Sequence, residues 1–196
     1  MNDNNFIKFA TEYQQILEVQ AGSGRTIDEF LKLPLSGLLE LALSDMRAMA
    51  MNPKYTFSMD SWYRVDNGTF YICMAGAVMA NTMGVTLSSG THPLNELVES
   101  CLPDGYRSAD TILKVGKRLN AINCARTGVP TTALYFVGAA YLDYPGLGDR
   151  LQQIAASREH QKLPVNETAG LSGLVFVERY EAYFRPLIDV LKQYGL

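Results

Sequence analysis

The segment CMAGAVMANTMG, residues 73–84, limits the fold more than any other part of the chain. From Met74 to Met83 it holds only Met, Ala, Gly and Val apart from one Asn and one Thr, so a helix here has no side suited to water. Such a helix belongs at the centre of a domain, where its small side chains let neighbouring backbones come close. Gly84 stands where a C-terminal cap is needed. Surrounding it takes a large apolar supply. The chain has 196 residues, 47% of them apolar, 10% aromatic and 19% charged, which is the profile of a globular domain. A chain of this size removes roughly 70% of its unfolded surface from water on folding.

The flanking sequence supplies mostly helices. Phe6, Phe9, Tyr13, Ile16 and Leu17 share one helical face, which AGSG at 21–24 ends. Thr26 and Glu29 stand in capping-box relation ahead of a short helix that Pro34 stops. A third helix runs from about Ser36, with a stripe of Leu38, Leu39, Ala42, Met46 and Met49, until NPK at 52–54. The composition then turns aromatic and β-branched, and Asp66-Asn67-Gly68 offers turn chemistry for a small hairpin before Cys73. LNELVESCL reads as a short helix after a Ser, Gly and Pro loop at 88–93. Ser108 caps a longer one, with Ile112, Val115, Leu119, Ile122 and Ala125 inward and Gly128 just past its end. TTALYFVGAAYL, 131–142, is apolar all round and is read as a helix, although periodicity does not separate it from a strand. PGLGDRLQQIAASREH starts another helix, and 161–173 is a loop. The last helix carries Phe176, Tyr180, Tyr183, Leu187, Leu191 and Tyr194 on one stripe, and Pro186 is expected to kink or split it. No repeat or linker divides the chain. The expected fold is mainly α (α+β), a single domain over 1–196 with a small β-hairpin packed on the helices.

Charge narrows the function. With 17 Lys and Arg against 20 Asp and Glu, a net charge of −3, nonspecific nucleic-acid binding is disfavoured. The apolar windows at 70–83 and 133–142 fall short of the ~20 residues that span a bilayer, so no membrane association is expected. The opening MNDNNFIKFATEY lacks a basic stretch followed by an apolar run, which argues against export. Cys73, Cys101 and Cys124 are odd in number and unpaired in spacing, as suits reduced thiols in a cytoplasm. There is no helical H-x-x-x-H pair, glycine-rich phosphate loop or calcium loop, and no metal or cofactor is expected. PGLGDR at 145–150 lacks the third glycine and the lysine of a phosphate-binding turn.

Cys73 has two readings. A strand that delivers a cysteine to a helix N-terminus is the arrangement of papain-like hydrolases, where oriented amides favour a thiolate and an oxyanion. That chemistry needs a base, and the two histidines, His92 in SGTHPLNE and His160 in SREHQKLP, lie off any strand-like segment. The plainer reading makes Cys73 a small apolar core residue between Ile72 and Met74. No catalytic set is therefore expected, and a small cysteine hydrolase using Cys73 with His92 or His160 is the alternative.

Binding has more candidates. Arg107, Lys114, Lys117 and Arg118 lie on or before one helix with Arg126 near its end. They form either a cationic strip for an anionic ligand or acidic partner, or the solvated face of an amphipathic helix. Asn120 and Asn123 hydrogen-bond across a helix interface or to a ligand. Trp62, in DSWYR with Arg64, has the company of an interface anchor, though single tryptophans also serve cores. Eleven tyrosines, three on the terminal stripe, suit a partner or self-association surface and leave a homo-oligomer open.

LALSDMRAMAMNPKYTFSMDSWYR, then CMAGAVMANTMG, then KRLNAINCARTG resembles small accessory proteins encoded by tailed bacteriophages. The matching positions are Trp62, Cys73, Ala75, Gly76, Val78, Met79, Ala80, Leu119, Asn120, Arg126 and Gly128, within about the middle half of the chain. The resemblance implies a setting and no chemistry: the cytoplasm of an infected bacterium, where such proteins inhibit host enzymes or blunt host defences. The expectation is a non-catalytic protein that binds a host protein or sequesters a small anionic, nucleotide-like ligand. A structural role in particle assembly is the third class.

Overall fold

The computed structural model describes residues 26–127, 130–158, 161–167 and 172–196. The helix expected over 6–17 lies outside them, as do Gly128 and His160. Helix α1 (Ile27–Lys32) opens with the expected box: Thr26 Oγ1 accepts from the Glu29 amide at 3.2 Å, and the Glu29 carboxylate accepts from the Thr26 amide at 2.8 Å. Pro34 ends that turn and leads directly into α2 (Leu35–Ala50), whose stripe of Leu38, Leu39, Ala42 and Met46 is fully buried.

The strands are β1 (Tyr55–Phe57), β2 (Tyr63–Asp66), β3 (Thr69–Ile72) and β4 (Gly90–Thr91). Asn67 and Gly68 both take positive φ, 48° and 79°, which is the tight reversal that an Asn-Gly pair makes between twisted strands. The expected hairpin is therefore present, but as the middle of a larger sheet. The order is β1-β3-β2-β4, with β1 parallel to β3 and the other pairs antiparallel. Alternation turns Phe57, Tyr63 and Ile72 into the core and leaves Thr56, Arg64 and Tyr71 on the opposite face.

Helix α3 (Met74–Asn81) is the central element that the sequence demanded, buried from Met74 through Met79. Its first turn lies so near the chain leading into β2 that a Cβ at Gly76 would stand 1.9 Å from the Trp62 carbonyl oxygen. At its other end Asp45, buried on α2, accepts from Asn81 Nδ2 at 2.8 Å and Thr82 Oγ1 at 2.6 Å. That satisfied carboxylate fixes the two helices in register.

Outside this centre lie α4 (Leu94–Cys101), α5 (Ala109–Thr127), α6 (Pro130–Phe136), α7 (Leu147–Arg158) and α8 (Gly173–Gln193). The apolar stretch at 131–142 is helical only to Phe136; a turn and a 3₁₀ turn at Tyr141–Asp143 follow, and Tyr135 and Leu142 face solvent. Helix α8 runs antiparallel to α2, paired through Arg47–Glu181 at 2.5 Å and Lys192–Glu40 at 2.6 Å. These exposed pairs contribute only about 0–1 kcal/mol each, so the apolar stripes between them hold the helices together.

Pro186 leaves α8 continuous from Gly173 to Gln193 and does not split it: the proline and Ala182, whose carbonyl loses its helical donor, are both exposed, so that carbonyl stays open to solvent. The tyrosine stripe is mainly internal. Phe57, Phe176 and Tyr180 form a stack with centroids 5.1 and 4.9 Å apart, and the Tyr180 hydroxyl donates to the Pro164 carbonyl at 2.8 Å. Tyr183 and Tyr194 are half-buried against the same core. Among the described residues no helix is long and apolar enough to cross a membrane.

The contact at Gly76 sets a stability test. Gly76→Ala must push the chain around Trp62 away from α3, and urea unfolding is expected to report a loss of about 3 kcal/mol, far more than alanine costs or gains elsewhere in a helix.

Candidate functional site

Cys73 is the N-cap of α3 and is 1% exposed. Its sulphur accepts from the Gly76 amide at 3.4 Å and lies 3.8 Å from the Trp62 carbonyl and 3.6 Å from Asn123 Oδ1. None of these partners is an imidazole. Burial pushes the thiol pKa up, and this outweighs the opposing pull of the Gly76 and Ala75 amides, Asn123 and the Arg126 charge. At a helix end that would create a thiolate in a wet site, a neutral thiol here serves as the cap. His92 is occupied locally, with Nε2 against the Ser89 carbonyl and Nδ1 3.2 Å from Glu96.

The cationic candidates separate. Arg107 binds the end of α4, donating from Nε to the Leu102 carbonyl at 2.9 Å and pairing with Asp104 at 3.2 Å. Arg126 turns inward: its Nη2 reaches towards the Met59 carbonyl at 3.5 Å, its Nε is enclosed without an acceptor, and its charge acts on Cys73 and Tyr180. Asn120 donates to the Gly116 carbonyl of its own helix at 3.0 Å. Trp62 is half-buried against the core, and its carbonyl serves the Cys73 joint. Arg64 lies on the outer face of the sheet, 4.4 Å from the Tyr71 ring centre.

Lys114, Lys117 and Arg118 do come together, in a cleft of about 490 Å³ between α1, α5 and the end of α6. Lys32 of α1 adds a fourth cation, and Leu31, Tyr135, Phe136 and Val137 supply apolar and aromatic wall. The one carboxylate is Asp28, which already accepts from the Tyr106 hydroxyl at 2.9 Å. Lys114 is shared with Asp110 at 2.6 Å, whereas Lys32 and Lys117 make no ion pair among the described residues. Arg118 donates to the Leu33 carbonyl behind α1, and partial burial lowers its pKa without discharging a guanidinium at neutral pH. With Lys114 shared with Asp110 and Asp28 engaged by Tyr106, Lys32, Lys117 and Arg118 leave the cleft positive on a chain whose net charge is −3.

Sequence reasoning missed Lys32, Tyr135 and Phe136. The strip on α5 was legible because its members share one helix; the others reach the cleft only through tertiary packing. Among the described residues no group of three His, Cys, Asp or Glu is arranged to hold a metal ion. No family model, curated protein or solved structure matches the chain.

Two measurements check the chemistry of the thiols. Native alkylation with iodoacetamide, followed by mass spectrometry, should modify half-exposed Cys124 first and leave Cys73 and Cys101 largely unlabelled. Stability should also fall in alkali. Burial raises Cys101 from an ordinary 9.0 to about 12 and Tyr180 from 10.0 to about 12, and Cys73 shifts the same way. The unfolded chain therefore loses these protons first, so urea midpoints stay level below about pH 8.5 and decline as the pH rises towards 12.

Proposed function

We propose that this chain is a non-catalytic binding protein that captures a small anionic, nucleotide-like ligand in the cleft of α1, α5 and α6. The convergence of Lys32, Lys114, Lys117 and Arg118 beside aromatic side chains carries the reading. Its volume of about 490 Å³ falls within the roughly 300–1,000 Å³ of small-molecule sites. Lys32 and Lys117 meet phosphate oxygens as point charges. The Tyr135 ring, 76% exposed, offers a face on which a base stacks. Arg118, tied to Leu33, sets one wall in place before the ligand arrives.

The likeness to phage accessory proteins supports a setting in the cytoplasm of an infected bacterium, where sequestering a nucleotide signal counters a host defence. A second reading, docking of a host protein, is favoured by Leu113, Tyr135 and Leu142, exposed by 56%, 76% and 78%, with the cations of the cleft suiting an acidic surface on it. The enclosed, neutral thiol of Cys73 lends no support to a hydrolase.

Calorimetric titration with a panel of nucleoside mono-, di- and triphosphates and cyclic dinucleotides tests the reading. At least one should bind, more weakly as salt rises. Lys117→Glu should weaken it about tenfold or more, and Tyr135→Ala should lower affinity with little change in salt dependence. Absence of binding across the panel contradicts the nucleotide reading. A host protein then recovered by wild type and lost with Tyr135→Ala favours the second.

A further inference from the structure

The outer face of the sheet carries a second hollow, of about 310 Å³, that shares no residue with the cationic cleft. Strand register puts Thr56, Tyr71 and Arg64 directly opposite one another across β1, β3 and β2. The guanidinium of Arg64 lies 4.4 Å from the Tyr71 ring centre. Its Nε is enclosed without an acceptor, and it makes no ion pair among the described residues, although Asp60 and Glu167 line the same hollow. Each carboxylate has one oxygen engaged. Glu167 Oε2 accepts from the Phe57 amide at 3.1 Å, and Asp60 Oδ2 accepts from Asn166 Nδ2 at 3.3 Å. The same backbone run holds the rim in place, through Glu167 N–H on the Phe57 carbonyl at 2.9 Å and Met59 N–H on the Val165 carbonyl at 2.8 Å.

These contacts decide among ligands. Tyr71 has Arg64 over its ring, so that face is not free to stack on a sugar or a base. One cation against two carboxylates disfavours a simple anion, and no three His, Cys, Asp or Glu among the described residues are set for a metal ion. A molecule bearing both charges meets both kinds of group. Its carboxylate matches the planar fork of Arg64, held ready by the ring, and its ammonium group matches the remaining oxygens of Asp60 and Glu167. The hollow is at the small end of ligand sites, near the ~300 Å³ lower limit. We propose that the Arg64–Tyr71 face of the sheet, with Asp60 and Glu167, binds a free α-amino acid or a zwitterion of that size.

The twenty L-amino acids, tested singly by saturation-transfer NMR and thermal shift, with acetate and methylammonium as single-charge probes, decide the matter. At least one amino acid should bind saturably, both single-charge probes should fail at the same concentration, and Arg64→Gln and Asp60→Asn should each weaken binding about tenfold or more. The proposal is overturned if no amino acid binds, if acetate binds as well as the amino acid, or if binding survives both substitutions. Should circular dichroism show Arg64→Gln misfolded, exposed Asp60→Asn carries the test by itself.

Discussion

Helix α3 meets the chain before β2 with no room for a side chain at position 76, and the rest of the molecule is arranged about that contact. The glycine lets the helix backbone reach the Trp62 carbonyl, and the Cys73 sulphur fills the corner between them while capping the helix. Strand β3 runs straight into this corner, so the sheet and the central helix form one rigid joint. Asp45 then fixes α2 to the far end of α3, and α8 covers α2 along its length. Water and reagents are kept from the joint by the same packing that makes it stable, so its only nucleophilic atom is also its least reactive.

The candidate sites lie at the periphery. The inner face of α5 packs on this centre, which turns Lys114 and Lys117 outward, and α1 and α6 fold over on either side to make the walls of the cleft. The sheet exposes its other face, where polar side chains alternate with the core residues. Both candidate sites therefore sit on surfaces whose backbones are anchored from behind. A ligand binding there would require little ordering of the chain, which would leave more of the contact energy for affinity.

The helices were legible in the sequence because local signals and burial agree in them. Thr26 and Glu29 cap as their spacing requires, the α2 stripe is the buried stripe, and Asn67-Gly68 turns the hairpin. What was not legible depends on distant partners. The parallel pairing of β1 with β3 and the short β4 involve no pattern of their own, and the role of Asp45 appears only when Asn81 and Thr82 face it. The cationic strip divided for a similar reason: charge can be counted along a helix, but whether an arginine meets solvent, as a carbonyl-bound Arg118 partly does, or turns inward, as Arg126 does, depends on which carbonyls fold towards it. Lys32 and Tyr135 carried no signal beyond their residue type.

Native-state hydrogen exchange followed by NMR addresses the central joint directly. If α3 is the piece about which everything else is assembled, the amides of Ala77 and Thr82 open only when the whole protein unfolds, and their exchange free energy equals the global value from urea. Exchange of those amides through a smaller, local opening, while α2 and α8 remain protected, would contradict the account.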